Sequence, residues 1–178
     1  MIKRCLDQSK PDLVFLQETK IKEEDFSIFK NKFRRWECLL TGAQGASGGL
    51  AIMWKPETIK ISESKLNANW QWAKIYVKNL HWSFMVINVY GPNENAEKKE
   101  LWGKIAEKVQ EFPNEVTILG GDFNAILNPK DKKGGKGWLS ESQKDFSNFV
   151  NDNGLVNINF KKGDFTWTNR REGFVHIA

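Results

Sequence analysis

Cysteine and histidine are scarce in this sequence. Its 178 residues include two cysteines, Cys5 and Cys38, and two histidines, His81 and His176. The cysteines form no CxxC pair, so the pattern does not suggest a zinc site, and free thiols are typical of a reducing compartment. Two histidines are too few for a metal centre that several imidazole rings would hold.

Long apolar runs are also absent. No stretch of the sequence is long and apolar enough to span a membrane. The N-terminal segment, MIKRCLDQSKPD, lacks the apolar core of a signal peptide. The sequence therefore predicts a soluble intracellular protein of the nucleus or cytoplasm that is neither secreted nor membrane-bound.

Positive charge exceeds negative charge in the chain. There are 27 Lys and Arg residues against 22 Asp and Glu residues, which gives a formal net charge of +5. Such an excess favours a polyanionic partner. The eight tryptophans have two interpretations, since they can fill an apolar core or stack on bases and sugars.

Strand and helix patterns alternate along the chain, which is typical of a layered α/β fold. A chain of this length fits one domain, here residues 1–178. Runs of β-branched and aromatic residues between turn residues predict strands at Asp12–Gln17, Gly49–Trp54, Thr58–Ser62, Trp70–Val77, Trp82–Tyr90, Val116–Gly120 and Phe165–Thr168. Helical spacing and capping signals predict helices at Met1–Ser9, Glu23–Phe33, Asn95–Glu111 and Ser140–Asn153.

Three of the apolar runs end in polar residues that can carry chemistry. The runs DLVFLQ, FMVINV and VTILGG lead into Glu18, into Tyr90 and into the pair Asp122 and Asn124. Active sites of layered α/β folds gather where strands end and loops begin. If these strands are neighbours, their ends would bring together carboxylates for a hard cation such as Mg²⁺ and polar groups for a phosphate. Taken singly, Glu18 also suits a helix N-terminus, Tyr90 a half-buried strand, and Asp122 and Asn124 a turn.

A basic, glycine-rich loop covers Asn128–Trp138, with the sequence NPKDKKGGKGW. It can be an ordinary solvated surface loop or a contact to a phosphate backbone. Under the second interpretation, the nucleic-acid-binding residues are Lys130, Lys132, Lys133 and Lys136.

The words QET (17–19), NVYGP (88–92) and GGDFN (120–124) resemble the signature motifs of the endonuclease/exonuclease/phosphatase superfamily. That superfamily includes apurinic/apyrimidinic endonucleases, DNase I-like nucleases, inositol phosphatases and LINE-type retrotransposon endonucleases. The segments PDLVFLQETK, GGLAIMW, DKKGG and FTWTN are most similar to the plant LINE-type (non-LTR) enzymes.

The resemblance implies a fold, a cofactor and roles for four residues. The fold would be a DNase I-like four-layer sandwich of two mixed β-sheets flanked by helices. The cofactor would be Mg²⁺, or Mn²⁺ in its place, without a small-molecule cofactor, and the partner would be DNA. Glu18 would be a metal ligand, Tyr90 would contact the scissile phosphate, Asp122 would position or activate the attacking water, and Asn124 would help to hold phosphate and water.

The sequence also departs from the superfamily pattern. It contains neither the opening strand with a catalytic Asn nor the closing Ser-Asp-His motif, and His176 follows Val175 instead of an Asp. We therefore expect an incomplete domain that lacks its first strand and its C-terminal strands. Because a pre-positioned partner of the transition state is missing, the chain is expected to be a weak or inactive enzyme.

Three functions are compatible with these patterns. The first is a metal-dependent DNA endonuclease from a LINE-type element. The second is a non-catalytic retrotransposon remnant that still binds nucleic acid. The third is a phosphomonoesterase of the same superfamily that acts on small substrates such as inositol phosphates.

Overall fold

The structure is a computed structural model that describes residues 2–45, 47–132 and 141–158. Backbone contacts divide the chain into two compact units. The first unit comprises Met1–Tyr90 and Asn114–Asp122, and the second comprises Gly91–Pro113 and Phe123–Ala178.

The first unit contains two sheets and two helices. Its helices are α1 (Ile2–Ser9) and α2 (Phe26–Lys32), with a 3₁₀ turn at Glu23–Asp25 before α2. Its strands are β1 (Leu13–Leu16), β2 (Glu37–Gln44), β3 (Ser47–Trp54), β4 (Ile59–Leu66), β5 (Trp70–Val77), β6 (Trp82–Tyr90) and β7 (Thr117–Asp122). The first sheet has the order β1-β3-β2, and the second has the order β4-β5-β6-β7. Neighbouring strands are antiparallel except for β6 and β7, which are parallel.

An apolar core fills the space between the inner faces of the two sheets. Side chains of a strand point alternately to its two faces, so every second residue of the central strands can enter this core. The buried core residues are Ile52, Trp54, Ile59, Ala73, Ile75, Phe84 and Val86. Burial of this continuous apolar surface is the main force that holds the two sheets together.

A second apolar cluster lies on the outer face of the first sheet. Phe29 of α2 and the adjacent Phe33 pack against Leu40, Ala51 and Met53. The central strand β3 is therefore covered on both faces, which explains why residues 50–54 form an uninterrupted apolar run. Within the first unit, the layers are helices, first sheet and second sheet.

The second unit contains α3 (Asn95–Glu111), α4 (Glu141–Asp152) and a 3₁₀ turn at Pro129–Asp131. The ring centroid of Trp102 on α3 lies 4.9 Å from the ring centroid of Phe146 and 5.5 Å from that of Phe149, both on α4. The ring of Phe123 lies 5.2 Å from that of Phe146. Aromatic packing therefore joins the two helices of this unit.

The predicted fold class is confirmed, because the chain has two β-sheets with flanking helices as in the DNase I-like fold. Strands β5 and β6 and helix α3 have the bounds that the sequence predicts. Strand β2 was not predicted, because its segment ECLLTGAQ lacks a clear alternation; the segment forms a strand by pairing with β3. The predicted strand Phe165–Thr168 and the capping residue Ser140 lie outside the described residues.

In the part of the chain that the structure describes, none of the helices has the length and apolar character required to cross a membrane.

The inner core allows a direct test of stability. Ile52→Ala removes a fully buried side chain and should lower the free energy of unfolding by about 2–5 kcal/mol. Ile28→Ala is the matched control, since Ile28 is 65% exposed and its truncation should change stability by less than about 0.5 kcal/mol. Urea denaturation followed by tryptophan fluorescence measures both, and equal losses would contradict the described core.

Candidate active site

Glu18 lies just beyond β1, in a backbone conformation that side-chain-bearing residues rarely adopt. Its φ angle is 50°, in the left-handed region. The following segment is fixed to β3, because the backbone N–H of Thr19 donates to the carbonyl oxygen of Gly49 at 3.1 Å. A Cβ atom at Gly49 would overlap the Thr19 hydroxyl, so this close approach requires glycine. The carboxylate of Glu18 is thus presented to solvent from a constrained backbone.

Tyr90 and Asp122 are the last residues of β6 and β7. They are register partners in the parallel ladder, so both strands end at the same edge of the second sheet. Gly121 permits this pairing, because a Cβ atom at its position would overlap the carbonyl oxygen of Val89. The φ angle of Gly121 is 139°, which L-residues with a side chain rarely adopt.

Glu18, Tyr90 and Asp122 form a carboxylate–phenol cluster in the first unit. Partial burial, a hydrogen bond to the Glu18 carboxylate, and the negative charges of Glu18 and Asp122 all raise the pKa of Tyr90 above its ordinary value. Asp122 is the register partner of Tyr90, and the hydrogen bond between Gln17 and Asn88 joins the segment of Glu18 to the strand that carries Tyr90. Two exposed carboxylates so arranged create a negative potential that favours a bound cation.

An open groove of about 300 Å³ lies next to Glu18 and is lined mainly by apolar side chains, including Ile2, Phe15, Ile21 and Phe29. The groove provides an apolar surface beside the charged cluster.

Asn124 belongs to the second unit. Its side-chain amide donates a hydrogen bond to the carbonyl oxygen of Gly91 at 2.7 Å. A Cβ atom at Gly91 would overlap the carbonyl group of Phe123, so glycine is required there. Of the four residues predicted from the sequence, Glu18, Tyr90 and Asp122 thus belong to the first unit, and Asn124 belongs to the second unit.

Two of the four predicted basic residues are described. Lys130 is exposed and lies in the 3₁₀ turn at Pro129–Asp131, and Lys132 follows it and is half-buried. The carboxylate of Asp131 accepts a hydrogen bond from the backbone N–H of Asn128 at 2.9 Å, which caps this turn. Lys133 and Lys136, like His176, lie outside the described residues.

Two side chains behind the cluster were not singled out from the sequence. The amide nitrogen of Gln17 donates a hydrogen bond to the amide oxygen of Asn88 at 2.6 Å. Gln17 is adjacent to Glu18 in the chain, and Asn88 lies two residues before Tyr90. Strand alternation was the available signal, since it places Gln17 and Asn88 on the same faces as the apolar residues two positions before them.

A sequence profile of the endonuclease/exonuclease/phosphatase family matches residues 2–175.

The chain belongs to the endonuclease/exonuclease/phosphatase family.

Solved structures of the family share the fold. A 3′-5′ exonuclease from Neisseria meningitidis aligns with a TM-score of 0.65 at 19% identity, over 84% of this chain and 64% of that one. TDP2 from D. rerio, in complex with a single-strand DNA product, aligns with a TM-score of 0.56 at 18% identity, over 88% and 57%. A mannosyl-6-phosphatase from Bacteroides thetaiotaomicron gives 0.61 at 15% identity, over 82% and 59%.

In these three comparisons the chain spans less than two thirds of the other protein. At these identities the likeness concerns the fold. A search of curated proteins finds no match.

Enzymes of this family generally use divalent metals. Among the residues that the structure describes, no group of three or more His, Cys, Asp or Glu side chains is arranged to hold a metal ion. Mg²⁺ does not require such a group, because it keeps several water ligands and needs only one or two carboxylates. The exposed carboxylates of Glu18, just beyond β1, and of Asp122, at the end of β7, can supply such ligands.

The contact between Glu18 and Tyr90 predicts a measurable change in pKa. Glu18→Gln removes a negative charge that opposes phenolate formation, so the pKa of Tyr90 should fall toward its ordinary value. Tyr76 is the only other tyrosine, so the Tyr76→Phe background leaves a single phenol for ultraviolet absorption titration. Glu57→Gln removes an equally exposed carboxylate outside the cluster and should leave the pKa unchanged. An unchanged pKa in Glu18→Gln would contradict the described contact.

Proposed function

We propose that the carboxylate–phenol cluster catalyses hydrolysis of phosphodiester bonds in DNA with the aid of a divalent cation, Mg²⁺ or Mn²⁺. The observation that supports this most is the pairing of β6 with β7, which places the phenol of Tyr90 beside the carboxylate of Asp122 at the end of the second sheet to which Gln17 joins the segment of Glu18. A cation-binding carboxylate, a second carboxylate and a hydrogen-bond donor are the groups that phosphoryl chemistry requires.

Each residue of the cluster has a proposed role. Glu18 would hold the cation, which when bound polarises a phosphoryl oxygen and stabilises the leaving oxygen. Asp122 would accept a hydrogen bond from the attacking water and so orient it toward phosphorus. Tyr90, which is protonated at neutral pH, would turn its single hydroxyl proton from Glu18 to a phosphate oxygen when the Glu18 carboxylate holds the cation.

The role of Asn124 in holding phosphate and water remains a prediction from the family resemblance. Within its own unit, Asn124 shows a defined hydrogen bond to the carbonyl oxygen of Gly91. That bond fixes the orientation of the side-chain amide, which is consistent with a role in binding.

DNA is the proposed substrate, and a LINE-type element is the proposed origin. Three observations support nucleic acid: the net charge of +5, the basic residues Lys130 and Lys132 with Lys133 and Lys136 after them in sequence, and the resemblance of the motifs to LINE-type endonucleases. A structural neighbour, TDP2, was solved with a single-strand DNA product, which makes DNA a reasonable first substrate to test.

Phosphomonoester hydrolysis is the alternative reaction. It is suggested by the mannosyl-6-phosphatase that shares the fold. The two reactions are separated by comparing bis(p-nitrophenyl) phosphate, a diester, with p-nitrophenyl phosphate, a monoester. Preference for the diester supports the proposal, and preference for the monoester supports the alternative.

Nicking of supercoiled plasmid tests the proposed reaction. We expect slow nicking, in keeping with the weak activity that the sequence predicts, and we expect it to require Mg²⁺ or Mn²⁺ and to stop with EDTA. Asp122→Ala and Glu18→Gln should each lower the rate by about 10²-fold or more, because each removes a group that acts on the reacting phosphate.

Glu57→Gln is the matched control, since it removes an exposed carboxylate in the turn between β3 and β4. It should nick at the wild-type rate. Nicking that is equal in wild type, Asp122→Ala and Glu18→Gln would reveal a contaminating nuclease and contradict the proposal. Absence of nicking by the folded wild-type chain would favour a non-catalytic remnant.

Salt dependence of DNA binding tests the proposed basic contact. Each phosphate contact contributes about 0.9 to the slope of log K against log salt for duplex DNA. Lys130→Gln with Lys132→Gln should therefore reduce that slope by about 1.8 if both residues contact phosphates. Fluorescence anisotropy of a labelled duplex measures the slope.

A control with the same change in charge is available on β4. Lys60→Gln with Lys65→Gln neutralises two exposed lysines on this edge strand and should leave the slope nearly unchanged. If both double variants reduce the slope equally, the effect reflects net charge, and the basic loop does not form a specific contact.

A further inference from the structure

The apolar core between the two sheets ends in a polar layer near the carboxylate–phenol cluster. On β6 the inward positions are Phe84 and Val86, and the next inward position is Asn88. On β5 the inward residues Ile75 and Ala73 are followed at the same end by Gln71. The complete set, which we term the amide layer, consists of the fully buried amides Gln71 and Asn88 and their half-buried partners Gln17 and Thr41.

Asn88 is the centre of this layer and is fully buried, with 0% of its surface exposed. Its amide oxygen accepts a hydrogen bond from the amide nitrogen of Gln17 at 2.6 Å. Its own amide nitrogen donates to the carbonyl oxygens of Ala51 at 3.1 Å and Leu16 at 3.3 Å. One side chain of the second sheet thus bonds to both β1 and β3 of the first sheet.

Gln71 extends the layer across the first sheet. It is the register partner of Asn88 on β5 and is also fully buried. Its amide nitrogen donates to the hydroxyl oxygen of Thr41 on β2 at 2.8 Å and to the carbonyl oxygen of Leu50 at 3.3 Å. Its amide oxygen lies 3.4 Å from the amide nitrogen of Asn88, whose two hydrogens are thus shared among three acceptors. The layer therefore links β5 and β6 to all three strands of the first sheet.

Filling part of a core with such a layer costs free energy. A buried amide loses its hydration, and hydrogen bonds within the protein only compensate for that loss. Apolar side chains of similar size would pack the same volume without this requirement, but their contacts are not directional. Directional bonds fix how two packed surfaces are placed relative to each other, a role documented for buried polar groups in other proteins.

The layer lies between the segment that carries Glu18 and the strand that carries Tyr90. β1 has only four residues, Leu13–Leu16, and Gln17 and Glu18 follow its last ladder position. Gln17 is hydrogen-bonded to Asn88, which lies two residues before Tyr90 on β6. The hydrogen bond between Gln17 and Asn88 therefore joins the backbone segment of Glu18 to the strand that carries Tyr90.

We propose that Asn88 is a positioning residue that holds the segment of Glu18 beside the end of β6, where Tyr90 lies. Its importance for catalysis rests on the function proposed above, whereas the positional effect can be measured without turnover. The chain has only two tyrosines, so incorporation of 3-fluorotyrosine gives two fluorine signals. Tyr76→Phe assigns them, and Glu18→Gln identifies the signal position of Tyr90 without its partner carboxylate.

Asn88→Leu should move the Tyr90 fluorine signal toward its position in Glu18→Gln. The matched control is Val86→Ala, which alters a fully buried inward residue of the same strand that does not belong to the amide layer. Val86→Ala should lower stability but leave the Tyr90 signal at its wild-type position. A signal that stays unmoved in Asn88→Leu, or that moves equally in both variants, overturns the proposal.

Gln17→Leu is a second variant in case Asn88→Leu does not fold. Gln17 is only half-buried, so its replacement is better tolerated, and it removes the link from Asn88 to the segment of Glu18. The Tyr90 signal should move in the same direction as in Glu18→Gln. If it remains at the wild-type position in folded Gln17→Leu, the proposal is wrong.

Hydrolysis of bis(p-nitrophenyl) phosphate adds the catalytic readout. Asn88→Leu should lower kcat about tenfold or more, as for residues that orient metal ligands, and should change KM by no more than about threefold. Val86→Ala should retain the wild-type kcat at a temperature where it is folded. If the wild-type chain has no turnover, the proposed function fails, and the fluorine signals still decide whether Asn88 positions Glu18.

Discussion

Parallel strands end at the same edge of a sheet, and the pairing of β6 with β7 places Tyr90 beside Asp122 for that reason. The remaining features of the candidate site depend on this pairing. Gly121 permits the close approach of the two strands, because a side chain there would overlap the carbonyl oxygen of Val89. The second sheet thus supplies a phenol and a carboxylate at one position, and only the carboxylate of Glu18 must come from elsewhere.

Glu18 comes from the other sheet, so the site depends on how two packed surfaces are aligned. Apolar burial holds the sheets together but is tolerant of small displacements, because it depends on area. The hydrogen bonds of Asn88 and Gln71 depend on direction and distance, and they lie directly behind the cluster. The molecule therefore uses apolar burial for stability and a polar layer for alignment, at the end of the core that lies next to the carboxylate–phenol cluster.

Much of the local structure could be predicted from the sequence. Strands β5 and β6 and helix α3 have the predicted bounds, because alternation and helical spacing are strong there. Strand β2 could not be predicted, since its order comes from pairing with β3, a partner outside the segment itself. The predicted helix at Glu23–Phe33 is divided into a 3₁₀ turn and the shorter α2.

For the candidate site, the sequence by itself determined the chemical identity of the groups and the family, because QET, NVYGP and GGDFN are short motifs whose residues are adjacent in the chain. It did not determine that Glu18, Tyr90 and Asp122 share one environment, because they are separated by more than thirty residues and meet only through strand pairing and sheet packing. Nor did it determine the left-handed backbone at Glu18 or the bonds of Asn88. These follow from contacts with Gly48, Gly49 and Gln17 that exist only in the folded chain.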